Sequence, residues 1–167
     1  AGTLEEQAVA LLPYLPGRTV PDLTQELTER SFDVPQVEVT PLPAYLEGLR
    51  TRGMKLGVAT NDAEASMARH LQSAGVMSLF DFAAGFDSGH GHKPGPGPLL
   101  AFAEAVGVTP ERCAMVGDST HDLEAARAAS MMAVGVLTGP ADEAELAAYA
   151  DVVLPSIADI PAWLDGR

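Results

Sequence analysis

Asp118 and Asp122 stand four residues apart, directly behind the apolar run Ala114-Met115-Val116-Gly117. Two carboxylates spaced like this at the end of a strand suit a hard divalent cation. Mg²⁺ takes one or two carboxylates and fills the rest of its shell with water and phosphate oxygens. The plainer reading is a helix capping box, because Ser119 and Asp122 have its spacing and acids favour a helix N-terminus. A capping box accounts for Asp122 but not for Asp118, which precedes the cap. Thr60-Asn61 also follow an apolar run, Lys55 to Ala59. Asn61, with Glu64 three residues on, reads as a helix N-cap. The same turn reads as an anion site, in which free backbone N–H groups and the Thr60 hydroxyl hold an oxyanion. The two readings are compatible, since a cap and an anion cradle use neighbouring donors.

Lys93 sits in His92-Lys93-Pro94-Gly95-Pro96 and is one of two lysines in the chain, the other being Lys55. A lone lysine is ordinarily a solvated charge. Here the flanking prolines stiffen the backbone that carries it, and an ammonium on a flexible stem suits a phosphate oxygen. His90 and His92 form a His-x-His pair, but no other Cys or His lies near enough in sequence to complete a transition-metal set. Packing of the loop, or contact on the substrate side, is the preferred reading of that pair. His121 lies beside the acids and faces either the cleft or solvent.

The elements that must position these residues follow from periodicity and punctuation. Leu4, Ala8, Leu11, Leu12 and Leu15 have helical spacing, and Pro16-Gly17 stops that helix. Thr19 opens a second helix that runs out near Phe32, and Leu42 to Leu49 form a third, ended by Gly53. From there, short apolar runs alternate with helical stretches. Strands are expected at 55–59, 82–86, 113–117, 132–137 and 151–154. Helices are expected from Asn61 to Gly75, over 99–106, 119–129 and 143–149, and from Ser156 to Leu164. Such alternation predicts an α/β fold, a Rossmann-like parallel sheet with helices on both faces. Ligands of such sheets sit beyond the carboxyl ends of the strands. Thr60-Asn61, the loop from Asp87 to Lys93, and Asp118-Ser119 all lie there.

Composition narrows the field. With 10 Lys+Arg against 23 Asp+Glu, the formal charge is -13, which argues against nucleic-acid and anionic-membrane partners. The single cysteine, Cys113, permits no intramolecular disulfide, and its apolar neighbours predict a buried thiol. No apolar stretch is long enough to span a bilayer, and residues 1–6 carry no basic, apolar leader. The expectation is a soluble, cytoplasmic, one-domain protein of 167 residues.

Three signals stand in order: Ala59-Thr60-Asn61, Lys93-Pro94, and Gly117-Asp118-Ser119-Thr120-His121-Asp122. Together with the Ala125-Ala126-Arg127-Ala128-Ala129 helix and the closing Ala150-Asp151-Val152-Val153 strand, the chain resembles the haloacid dehalogenase-like hydrolase superfamily, in its phosphoglycolate-phosphatase-like branch. The last of the three motifs is the specific one. The resemblance runs from about residue 40 to the end. It implies a Mg²⁺-dependent phosphomonoester hydrolase acting on a small phosphorylated metabolite through an aspartyl-phosphate. It also implies roles. Thr60 and the Asn61 amide would hold phosphoryl oxygens. Lys93 would neutralise charge on the phosphoryl group and the nucleophile. Asp118 would ligate Mg²⁺, and Asp122 would support it directly or through water. Receiver domains also carry a Thr/Ser and a Lys-Pro, but their acidic pair precedes both.

The resemblance is incomplete. The family's Asp-x-Asp, whose first Asp is the nucleophile and whose second is the general acid/base, occurs nowhere in the sequence. Asp22 and Asp33 follow no apolar strand, and Asp87 ends the wrong strand without a second acid. The expectation is that residues 1–38 are part of a helical cap and residues 39–167 a core lacking its central strand. That strand would lie between those ending at Thr60 and Asp118. It would belong to the natural protein or, as a second option, be supplied by a homodimer or domain swap. Without it the chain is expected to show no turnover of p-nitrophenyl phosphate. Two other functions stay open. One is a non-catalytic remnant that binds phosphate or a partner. The other is a 2-haloacid dehalogenase-type hydrolase, which would need no Mg²⁺. Ser130 departs from the family's usual glycine after the alanine-rich helix, which implies modest strain or a different helix ending.

Overall fold

The computed structural model describes residues 3–31 and 38–166. The second helix's end near Phe32, and Asp33, lie outside the described residues.

Thr3 caps α1 (Leu4–Leu11) through a capping box with Glu6. The expected helix to Leu15 is cut short. Pro13 has no N–H to continue the helical bonding, and the chain tightens into a 3₁₀ turn over Leu12–Tyr14. Thr19 accepts the Asp22 N–H at 3.3 Å and opens α2 (Val20–Ser31). The two helices pack on each other, and Leu4, Ala8 and Leu23 are buried.

The α/β part begins with α3 (Leu42–Thr51). The order is then β1 (Gly57–Ala59), α4 (Glu64–Ser73), β2 (Phe82–Ala84), α5 (Gly97–Val106), β3 (Ala114–Gly117), α6 (Thr120–Ala128), β4 (Met132–Val136), α7 (Glu143–Ala147), β5 (Val152–Leu154) and α8 (Ile160–Asp165). Every strand pair is parallel. The strands are shorter than the apolar runs that signalled them, because the flanking residues pair only through isolated bonds. At the entry to β1, Leu56 and Lys55 donate to the Asp81 carboxylate instead. The Leu56 N–H holds that carboxyl below its usual range.

Helices cover both faces, as β4 shows residue by residue. Ala133 faces a cluster with Leu123, Ala126 and Leu146 from α6 and α7. Val134 and Val136 face Ile160, Trp163 and Leu164 of α8. This period of two, on a strand apolar on both sides, is what a parallel sheet between helical layers requires. Tyr45 ties α3 to the segment before α8 by donating its hydroxyl to the Ile157 carbonyl at 2.7 Å. Ser130 sits at φ +59, left-handed, where a Cβ costs on the order of 1 kcal/mol, so the strained ending is the one observed.

The sheet is split. β1 pairs with β2, β3 with β4 and β4 with β5, while β1 and β3 share no ladder. Between their facing edges runs a groove of about 660 Å³ whose lining includes Val58, Phe102, Cys113, Met115 and Trp163. Cys113 is buried there, and burial pushes its thiol above the usual cysteine range.

Candidate active site

Lys93 is the centre of the site. Its side chain is 10% exposed, and its ammonium donates to the Ala59 carbonyl at the end of β1 and to Asp122 Oδ1, each at 2.6 Å. A buried ammonium is tolerated only when paired and hydrogen-bonded. Asp122 is 8% exposed and supplies the pairing charge from the first turn of α6. Lys93 therefore joins the carboxyl end of β1 to the helix that follows β3.

The loop that carries Lys93 is held by Asn61. The Asn61 side-chain amide donates to the Lys93 carbonyl at 2.9 Å, and the Lys93 N–H donates back to Asn61 Oδ1 at 3.0 Å. This two-bond clamp is the reason Asn61 does not cap α4, as its spacing predicts. The helix starts at Glu64 with Ala63 in the cap position, and its first N–H donates to Asp87 Oδ1 at 2.8 Å instead. Asp87 is thus the cap, reaching back from the loop after β2. Its position just beyond a strand was visible in sequence; its target, 23 residues upstream, was not.

Thr60 continues β1, donating its N–H to Ala84 at 3.0 Å. Its hydroxyl lies 3.2 Å from Asp62 Oδ2 and accepts the Asp62 N–H at 3.0 Å. Asn61's side chain being spent on Lys93, its backbone N–H is the donor it retains for an anion at this turn.

Asp122 is the capping acid that its spacing predicts, and it also pairs with Lys93. Its Oδ2 accepts the Ser119 N–H at 3.1 Å and the Ser119 hydroxyl at 2.8 Å, completing the capping box, while Oδ1 accepts Lys93. Asp118, half-buried at the mouth of β3, has no hydrogen-bond or ion-pair partner among the described residues. Of the two acids, Asp118 is the one with both carboxylate oxygens uncommitted. His92 Nδ1 lies 3.2 Å from the Lys93 carbonyl, and the His90 ring packs 5.8 Å from that of Phe82. His121 is half-buried, and its buried Nδ1 has no partner among the described residues. The Lys93–Pro94 peptide is cis.

The clamp makes a prediction. Asn61→Ala removes both bonds to Lys93, leaving its N–H unpaired and its carbonyl with only the His92 ring beside it. It is expected to cost about 1–3 kcal/mol of stability. Denaturant titration checks this, and a wild-type value would deny the clamp its role.

Known proteins resemble this chain in sequence and in fold. A family model described as haloacid dehalogenase-like hydrolase matches residues 5–136. A phosphoglycolate phosphatase of Escherichia coli (strain K12) is 33% identical over 156 residues, covering 93% of this chain and 59% of that protein. The chain thus spans under two thirds of that relative's length. Among solved structures, a predicted phosphoglycolate phosphatase from Haemophilus somnus 129PT superposes with a TM-score of 0.76 at 25% identity, over 87% of this chain and 65% of that one. CbbY from Rhodobacter sphaeroides, solved with phosphate, shares the fold with a TM-score of 0.83 at 22% identity, over 99% of this chain and 79% of that one.

Proposed function

We propose that this chain, which belongs to the haloacid dehalogenase-like hydrolase family, carries most of the active site of a Mg²⁺-dependent phosphomonoester hydrolase for small phosphorylated metabolites, phosphoglycolate among them. The observation that carries the reading is the Lys93 ammonium, buried against the end of β1 and paired with Asp122 where Thr60, Asn61 and Asp118 also lie. On a chain of charge -13, a fixed local cation at the sheet's carboxyl edge is what an anionic substrate needs.

In this reading Lys93 offsets charge on the phosphoryl group and on the attacking carboxylate. The Thr60 hydroxyl and the Asn61 backbone N–H hold phosphoryl oxygens. Asp118 supplies the open carboxylate for Mg²⁺, and Asp122, its oxygens taken by Ser119 and Lys93, supports the ion through water while holding Lys93. Among the described residues no three His, Cys, Asp or Glu converge, and so few protein donors suit Mg²⁺, which keeps several waters. When bound, the ion would supply electrostatic stabilisation of the phosphoryl oxygens.

The nucleophilic aspartate of an aspartyl-phosphate mechanism is not among these 167 residues, which contain no Asp-x-Asp. We assign it to a further strand of the same protein, or of a swapped second copy, lying in the groove between β1 and β3. The groove's two open parallel edges and apolar lining support that assignment.

The test uses the natural protein with 2-phosphoglycolate and a panel of small phosphomonoesters. Turnover is expected with Mg²⁺, to vanish in EDTA and to return on adding Mg²⁺ back. Turnover that survives chelation refutes the mechanism, and halide release from a 2-haloacid without Mg²⁺ selects the dehalogenase reading. Phosphate binding without turnover of any substrate selects the non-catalytic one.

A further inference from the structure

Gly139 lies in the turn after β4, in Leu137-Thr138-Gly139-Pro140. Its φ is not positive, so the left-handed strain that favours glycine does not apply there. Space is what excludes a side chain: a Cβ built at residue 139 would overlap Cβ, Cγ and Oδ2 of Asp118. The Asp118 side chain therefore occupies the place a Cβ would take. Gly117 stands in the same relation to the second acid, with no positive φ and a would-be Cβ that overlaps Cβ, Cγ and Oδ2 of Asp122. The two acids differ in what else holds them. Asp122 is fixed by Ser119 and Lys93, whereas Asp118 has no polar partner among the described residues. Contact with the bare Cα of Gly139 is thus a principal restraint on where the Asp118 carboxylate stands.

We propose that Gly139 is the positioning residue for Asp118: a turn three residues beyond β4 gives up its side chain so that the carboxylate can seat at the carboxyl edge of β3. The steric half stands on the contact alone. The consequence for Mg²⁺ rests on the reading of Asp118 given above.

The test compares wild type, Gly139→Ala, Asp118→Gly and the double variant in the natural protein. Thermal unfolding in EDTA should show Gly139→Ala lowering Tm strongly beside Asp118 and much less beside glycine at residue 118. Equal losses in both backgrounds, or no loss in either, overturn the proposal. If Gly139→Ala does not fold, the double variant decides: recovered folding supports the shared space, and failure to recover overturns it. The second readout is the Mg²⁺ concentration that half-saturates the Mg²⁺-induced rise in Tm. It should increase about ten-fold or more in Gly139→Ala, the usual effect of disturbing a residue that orients a ligand. An unchanged value overturns the positioning role. Asp118→Asn separates the layers. If it keeps the wild-type Mg²⁺ response, the metal assignment falls and the proposal's consequence falls with it. If it loses that response while Gly139→Ala keeps it, the positioning proposal alone falls.

Discussion

Lys93→Met is expected, under the proposed function, to reduce phosphomonoester turnover about 10³-fold, at the upper end for losing one preorganised electrostatic contact. The same change is expected to destabilise the protein by about 3 kcal/mol, because it leaves the Asp122 carboxylate buried without its countercharge. The two effects have different cures. Lys93→Met with Asp122→Asn removes both charges, so most of the stability should return while activity does not. Chemical denaturation and kinetics on the single and double variants check this. If the double variant regains turnover, the ammonium was structural and the proposed chemistry is wrong. If stability does not return, the Lys93–Asp122 pair is not what the single change disturbed.

Asp118→Asn is expected to give the mirror image. Asp118 has no polar partner to abandon among the described residues, so its conversion to the isosteric amide should change stability by under about 0.5 kcal/mol. Turnover should fall about 10³-fold, since the amide keeps the shape and loses the charge that would hold Mg²⁺. Raising Mg²⁺ should recover part of the loss, and the Mg²⁺-induced shift in Tm should shrink. A variant with wild-type Mg²⁺ dependence would remove Asp118 from the metal site. Taken together, the two substitutions separate a residue that holds the site together from one that the fold merely seats.

The α/β order was legible because each strand is a short apolar run closed by glycine, proline or a capping residue, and those signals are local. The Ser119–Asp122 capping box was legible for the same reason, whereas Ser130 was flagged by its departure from the family's glycine, which left strain or a different helix ending open. What the sequence concealed is non-local. Asn61 sits in a sound N-cap position, yet its amide goes to Lys93, 32 residues on, and Asp87 takes over the capping. The local rule failed at a position where two loops meet over the site, and the backbone of Lys93 outbid the helix end. Asp122 looked like either a cap or part of a metal site, and it proved to be the cap and also the countercharge of Lys93, because its two oxygens face different neighbours. Gly139 carried no signal at all: a glycine before a proline reads as an ordinary turn until its neighbour across the sheet edge is known.

The ammonium of Lys93 has a mechanical consequence. It is bonded on one side to β1, in the two-stranded half of the sheet, and on the other to α6, which follows β3 in the three-stranded half. It is a rivet across the seam. Any spreading or sliding of the halves must first stretch these two short bonds. The distance between the halves is therefore gauged at the same atom that would meet the substrate.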